Sequence, residues 1–136
     1  MYELRYATRF DIDRIKALLD STKNVFGFIP RPAVWHSIAK GELIVATPYY
    51  DSQDVIGFCR FHRRRDGVST IYEVYVEPEY RRKGTGKRMI GSLKGVIQAK
   101  CPVEYESNGF YKELGFAIVG IEVGKKKQLN VWRLEK

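Results

Sequence analysis

The run that most constrains this chain is Ile71–Met89, IYEVYVEPEYRRKGTGKRM. Val68 to Glu77 is β-branched and aromatic, as a strand requires, and Pro78 stops it because proline cannot donate to a ladder. Gly84 and Gly86 follow, and then a helical spacing of apolar residues at Met89, Ile90, Leu93 and Val96. A strand emptying through a glycine turn into a helix makes a particular kind of place. The first N–H groups of the helix have no intrahelical partner, and with the helix dipole they favour an anion. Gly84 and Gly86 lack a Cβ, so a phosphate can approach the backbone closely, and Arg81, Arg82 and Lys87 add charge around it. The third glycine of a dinucleotide fingerprint and the Gly-Lys-Ser/Thr of a P-loop are missing. A plain tight turn would use the same glycines.

The charge distribution sharpens that reading. Lys and Arg number 24 against 16 Asp and Glu, for a net charge of +8. From Arg81 to Val103 there is no acid, but there are the bases Arg81, Arg82, Lys83, Lys87, Arg88, Lys94 and Lys100. Shorter basic runs are Arg63-Arg64-Arg65 and Lys125-Lys126-Lys127. Such a pattern suits a polyanion: nucleic acid, anionic lipid or a phosphate-rich cofactor. The plainer alternative for each run is a solvated basic surface.

The rest of the chain supplies a mixed sheet. Tyr2–Ala7 alternates as a strand. Asp11 suits the N-cap of a helix through Ile12, Ile15, Leu18 and Leu19. After the Gly27–Pro32 loop, a second helix carries Val34, Trp35, Ile38 and Ala39 inward and ends at Gly41. Strands are expected over Glu42–Thr47 and Val55–His62, with Asp66-Gly67 turning into the strand that ends at Pro78. Ile97–Cys101 reads as a short strand and Asn108–Leu114 as a short helix closed by Gly115. Phe116–Val123 and Gln128–Leu134 complete the set. A chain of 136 residues forms one domain, spanning 1–136, with enough core to fold without staples.

Exclusions follow from what is scarce. Two cysteines, Cys59 and Cys101, make no disulfide scaffold, and with His36 and His62 they have no zinc spacing. No apolar run approaches the roughly 18 residues that span a bilayer. The opening MYELRYATRF lacks a signal-peptide core, so a cytoplasmic, metal-independent protein is expected.

Two segments together resemble a known family. Arg81-x-x-Gly84-x-Gly86 after a hydrophobic strand looks like the acetyl-CoA motif of the GCN5-related N-acetyltransferases. Asn108–Phe116, NGFYKELGF, is similar to that family's Phe-Tyr-x-x-x-Gly-Phe helix and strand entry. The order of elements matches across the whole chain. The resemblance implies an α/β (α+β) fold, with a central mixed, mostly antiparallel sheet of about seven strands flanked by about four helices. It implies acetyl-CoA as co-substrate, no metal, and the amides of Arg82, Lys83, Gly84, Thr85, Gly86 and Lys87 around the pyrophosphate. Val74, Tyr75 and Val76 would offer backbone groups to the pantetheine arm. Tyr111 matches the tyrosine that protonates the departing thiolate. Many members carry an Asn seven residues before that Tyr. Here Glu104 stands there, and Asn108 is the replacement as a contact to the cofactor arm.

The reaction so implied is direct attack of a primary amine on the thioester. A lysine-like amine has a pKa of about 10.4, so near neutrality a base must take its proton. Glu73 is the candidate, three residues before Val76, and it shares its strand face with Tyr75 and Glu77. The alternative for Glu73 is a strand residue without chemistry, and for Tyr111 a core tyrosine. Phe26–Arg31, Trp35, Tyr49 and Tyr50 border the region where the family takes its acceptor. The acceptor itself, a small molecule or a protein amine, is not legible, and either a monomer or a homodimer is compatible. Two other readings compete: a catalytically silent CoA-binding sensor or interaction module, and a basic nucleic-acid-binding protein.

Overall fold

The structure is a computed structural model that describes residues 2–135. Seven strands form one sheet whose hydrogen-bonded neighbours run β1-β2-β3-β4-β5-β7-β6. They are β1 Tyr2–Tyr6, β2 Leu43–Pro48, β3 Gly57–Arg63, β4 Ser69–Val76, β5 Ile97–Pro102, β6 Ala117–Val123 and β7 Gln128–Leu134. The helices among the described residues are α1 Ile12–Ser21, α2 Lys23–Phe26, α3 Arg31–Ala39, α4 Thr85–Gly91 and α5 Ser107–Glu113. No described helix is long and apolar enough to cross a membrane. The mixed sheet is the expected one, with α2 as an extra turn of helix beyond the four expected. The chain forms two compact units, one made of residues 1–62 with 72–92 and the other of residues 63–71 with 93–136.

In the first unit β1 pairs antiparallel with β2 and β2 with β3, Tyr6 lying opposite Ile44 and Leu43 opposite Arg60. Helices α1 and α3 cover one face. Ile15, Leu18 and Leu19 of α1, Val34 of α3, Leu43, Val45 and Phe58 form a buried cluster there. The spacing read in α1 is therefore the packed face. The cap differs from expectation. Asp11 precedes α1 but bonds backwards, accepting from the Thr8 N–H at 2.7 Å and pairing with Arg5 at 2.8 Å. Thr8 caps the preceding 3-10 turn instead. In α3 Val34 and Ile38 pack inward as expected and Ser37 joins them, whereas Trp35 and Ala39 face out. Ser37 goes in because it has polar partners: its hydroxyl donates to the Ala33 carbonyl and accepts from Arg60.

The helix expected to run on to Val96 stops at Gly91. Ser92 ends it, its hydroxyl bonding the Met89 carbonyl at 2.6 Å, and Gly95 turns the chain with φ +72°. Met89 and Ile90 remain buried as the spacing requires.

In the second unit the start of β4 pairs parallel with β5, Ser69 to Ile97 and Ile71 to Ala99. β7 pairs antiparallel with β5 on one side and with β6 on the other. Its buried residues include Val68, Ile71, Leu93, Ile97, Ala99, Cys101, Tyr111, Phe116, Val131 and Trp132. Gly115 follows α5 with φ +92°, the left-handed helix stop anticipated from sequence. Edge strand β6 is exposed along its whole length and bulges between Ile118 and Gly120. A bulge at an edge blunts pairing with other chains.

Candidate active site

Strand β4 leaves the first unit's sheet with its end pinned. The Glu77 N–H donates to the Ile56 carbonyl at 2.8 Å, and the Glu77 carboxylate pairs with Arg14 of α1 at 3.1 Å. A 3-10 turn over Pro78–Tyr80 then leads into the basic loop. Arg82 there has φ +63°, the one left-handed non-glycine among the described residues. That conformation costs an L-residue about 1–2 kcal/mol, so the turn holds it in place. Gly84 follows with φ +80° and ψ +9° and takes the N-cap of α4, where it has no side chain to cap with. The first intrahelical bond runs from the Arg88 N–H to the Gly84 carbonyl at 2.9 Å. The N–H groups of Thr85, Gly86 and Lys87 therefore precede the helical ladder. Thr85 is only 2% exposed, and its hydroxyl has no hydrogen-bond partner. The Thr47 and Ser69 hydroxyls are likewise buried without a hydrogen-bond partner.

The basic side chains divide their work. Arg82, Lys83 and Lys87 are exposed, as is the backbone of Gly84. Arg81 turns back instead: its Nε donates to the Val76 carbonyl at 2.7 Å, and its guanidinium lies 5.5 Å from the Tyr75 ring centre. Arg81 thus sets the exit angle of the loop. One backbone acceptor of the Val74–Val76 stretch is already taken by it.

Glu73 is the expectation that the geometry redirects. It is 5% exposed, and both carboxylate oxygens are held by Arg60, at 2.6 Å from Nε and 2.9 Å from Nη2. Arg60 also reaches the Ser37 hydroxyl at 3.3 Å and lies 4.8 Å from the ring centre of Tyr72. Alternation did place Glu73 with Tyr75 and Glu77, towards α1 and α3. A fork of two charge-assisted bonds takes one lone pair of each Glu73 oxygen and makes the carboxylate the counter-charge of a buried guanidinium.

Sequence reasoning passed over Arg60 and, two residues along β3, His62. Its Nδ1 lies 3.2 Å from the buried carboxylate of Glu42, and its ring is parallel to that of Tyr72 within 2°. The period-two spacing of Arg60 and His62 on one strand was the available signal.

In the second unit Tyr111 is 7% exposed, inside rings of Phe110, Phe116 and Trp132 whose centres lie at 5.4, 5.3 and 6.4 Å. Asn108, expected at the cofactor arm, is engaged by the protein itself. Its Nδ2 donates to the carbonyls of Pro102 at 2.8 Å and Tyr105 at 2.7 Å. Its Oδ1 accepts from Trp132 Nε1 at 2.8 Å and Asn130 Nδ2 at 3.1 Å. Those bonds make Asn108 a clamp that fixes the start of α5, and with it Tyr111 three residues on. Glu104 pairs with Lys127 at 3.4 Å.

Neither cysteine has the environment of a nucleophile. Burial, with a smaller push from the Glu73 charge, raises the Cys59 thiol to about 12. Burial also raises Cys101, against a bond with the Ser107 hydroxyl. Among the described residues no group of three or more His, Cys, Asp or Glu could hold a metal. Of the residues expected at the acceptor, Trp35, Phe28, Tyr49 and Tyr50 are exposed. An open groove there is lined by Ile12, Arg31, Pro32 and Trp35.

Comparison with known proteins agrees with this geometry. The acetyltransferase (GNAT) domain family matches residues 39–118, more than half of the chain. Ard1 from Thermoplasma volcanium superposes with a TM-score of 0.81 at 14% identity, over 98% of this chain and 97% of that one. Arabidopsis thaliana NAA60, in complex with acetyl-CoA, gives 0.82 at 14% identity over 100% of both chains. Arabidopsis thaliana Naa50, in complex with the bisubstrate analogue CoA-Ac-MVNAL, gives 0.74 at 18% identity over 99% of both. At these identities the likeness is one of fold. No curated protein matches the chain.

Proposed function

The chain belongs to the acetyltransferase (GNAT) domain family, and from that premise we propose that it transfers the acetyl group of acetyl-CoA to a primary amine by direct attack on the thioester. The observation that carries this reading is the turn before α4: left-handed Arg82 and Gly84, with three amides ahead of the helical ladder. These groups fit a pyrophosphate. The amides of Gly84, Thr85, Gly86 and Lys87 would hold it, while the Arg82, Lys83 and Lys87 side chains balance its charge. Arg81 orients the loop rather than binding. Val74 and Val76 supply strand backbone to the arm.

Acetyl-CoA brings the activated acyl group, so the chain has only to bind, orient and move protons. Tyr111 keeps the role that the family motif gives it, proton donor to the departing thiolate. A tyrosine hydroxyl, of pKa about 10, is a weaker acid than a thiol at about 8.5, so position matters more than acidity. Glu73 does not serve as base in this reading, because accepting a proton would strip a buried Arg60 of its counter-charge.

For the acceptor we favour an amine carried on a peptide. The peptide portion of the analogue named for Naa50 supports this, and so does the open groove at Ile12 and Trp35, which suits an extended chain better than an enclosed small molecule.

The test is a melting curve with acetyl-CoA, CoA, NADH and ATP. Acetyl-CoA at about 100 times its Kd should add about 2.7 kcal/mol of stability, and NADH and ATP much less. Gly86→Glu should abolish the shift while the protein stays folded. No shift with millimolar acetyl-CoA rejects the reading.

A further inference from the structure

With Glu73 committed to Arg60, the reaction lacks an acceptor for the amine proton, and the same face of the first unit holds one. We propose that His62 is that acceptor, oriented by Glu42 and braced on Tyr72. The inference rests on the acetyltransferase reading above.

The geometry is that of a histidine–carboxylate pair. Glu42 sits at the mouth of β2, its side chain 8% exposed, with oxygens 3.2 and 3.3 Å from His62 Nδ1. A carboxylate only accepts, so Nδ1 holds the hydrogen and Nε2 keeps its lone pair. The His62 side chain is 40% exposed, so solvent or a substrate can reach it. Its ring lies parallel to Tyr72, with centres 6.4 Å apart, which limits its rotation. The charged and titratable groups facing it are Glu42 just before β2, Tyr72 from β4, and Arg60, which Glu73 and the Ser37 hydroxyl hold beside Tyr72.

Its location fits the task. Arg60 and His62 are two apart on β3 and share the face towards α3, where Arg60 meets Ser37. Arg60, the neighbour of His62 on that face, bonds Glu73, one residue before the Val74–Val76 stretch proposed for the arm. A protonated amine meeting Nε2 there gives up one proton to His62. The neutral nitrogen attacks the carbonyl carbon, the C–S bond breaks, and the thiolate takes the second nitrogen proton. His62 returns its proton to solvent. The balance is one ammonium and one thioester giving an amide, a thiol and a proton.

The experiment compares His62→Gln, Glu42→Gln and the parent as pH–rate profiles, with two acceptors and acetyl-CoA. One is a lysine-bearing peptide, protonated near neutrality; the other is hydroxylamine, which is already neutral there. His62→Gln should slow transfer to the peptide by about 100-fold at pH 7, with a deficit that shrinks as pH rises. Transfer to hydroxylamine should change little, and KM for acetyl-CoA should be unchanged. Glu42→Gln should give a smaller deficit with the same pH dependence, and nitrogen NMR should show His62 losing its fixed Nδ1–H tautomer. A His62→Gln profile parallel to the parent's, or an equal loss with both acceptors, overturns the inference while leaving the acetyltransferase reading intact. A parent that binds acetyl-CoA yet acetylates neither acceptor overturns it as well. A parent that binds no acetyl-CoA removes the underlying reading instead.

Discussion

Each unit has a polar hub that ties several elements together, and the two are built in opposite ways. In the first, Arg60 and Glu73 meet as full charges, 10% and 6% exposed at the side chain. In the second, Asn108 joins three carbonyls and two N–H donors without any charge. A buried ion pair gains little over apolar residues but leaves a stranded charge when halved. A neutral hub is worth its hydrogen bonds, and its loss leaves smaller debts. Both centres sit beside residues singled out for chemistry, and both turn out to hold those residues' neighbours in place.

The largest effect should come from halving the ion pair. Glu73→Ala leaves the Arg60 charge buried and should cost about 3–5 kcal/mol in denaturant unfolding. The double change Arg60→Met with Glu73→Leu should recover most of it. A Glu73→Ala protein of parental stability with lost activity would return Glu73 to the chemistry.

Next is Tyr111→Phe, which separates holding from reacting. The rings of Phe116 and Trp132 keep their partner, so stability and acetyl-CoA affinity should hold. The kcat should fall by roughly 10- to 1,000-fold if the hydroxyl protonates the thiolate. A parental kcat, with chemistry rate-limiting, would make the hydroxyl structural.

Asn108→Ala should cost about 2 kcal/mol, because Trp132 Nε1 and the Pro102 carbonyl lose their partner. Acetyl-CoA affinity measured on the folded fraction should barely move. An affinity loss without a stability loss would restore Asn108 to the cofactor arm.

The smallest effect is at Asp11, a partly buried ion pair between these extremes. Burial alone would raise its carboxyl, but bonds from Arg5 and the Thr8 amide outweigh it and hold the pKa below the ordinary range. The unfolded chain therefore binds this proton at higher pH than the folded one. The stabilisation is complete above about pH 3.9 and fades as pH falls through the folded value. Asp11→Asn should flatten the acid limb of the stability profile by less than about 1 kcal/mol, and the limb's slope in acid titrations checks it.

Local rules made much of this legible before any coordinates. The α1 stripe of Ile15, Leu18 and Leu19 packs as its period demands. Gly115 stops α5 in the left-handed region, and the glycine turn opens α4 ahead of its ladder. These features depend on residues within a few positions of one another, where spacing and Cβ sterics decide. Where a second local rule competed, the reading slipped. Ser92 bonding Met89 ended α4 early, and Asp11 turned back to Arg5 rather than capping α1.

What the amino-acid order determined by itself was most of the elements, the family, and the glycine turn that opens α4. What only the tertiary structure decided was the duty of each polar side chain. Glu73 and Arg60 are 13 residues apart, Asn108 and Trp132 are 24, and His62 and Glu42 are 20. No periodicity spans such gaps. A carboxylate on a strand reads the same whether it faces water, an amine or a guanidinium, and only register and packing choose among them. The physical reason is that strand alternation sets which face a side chain takes, while its partner is set by which strand and helix close over that face.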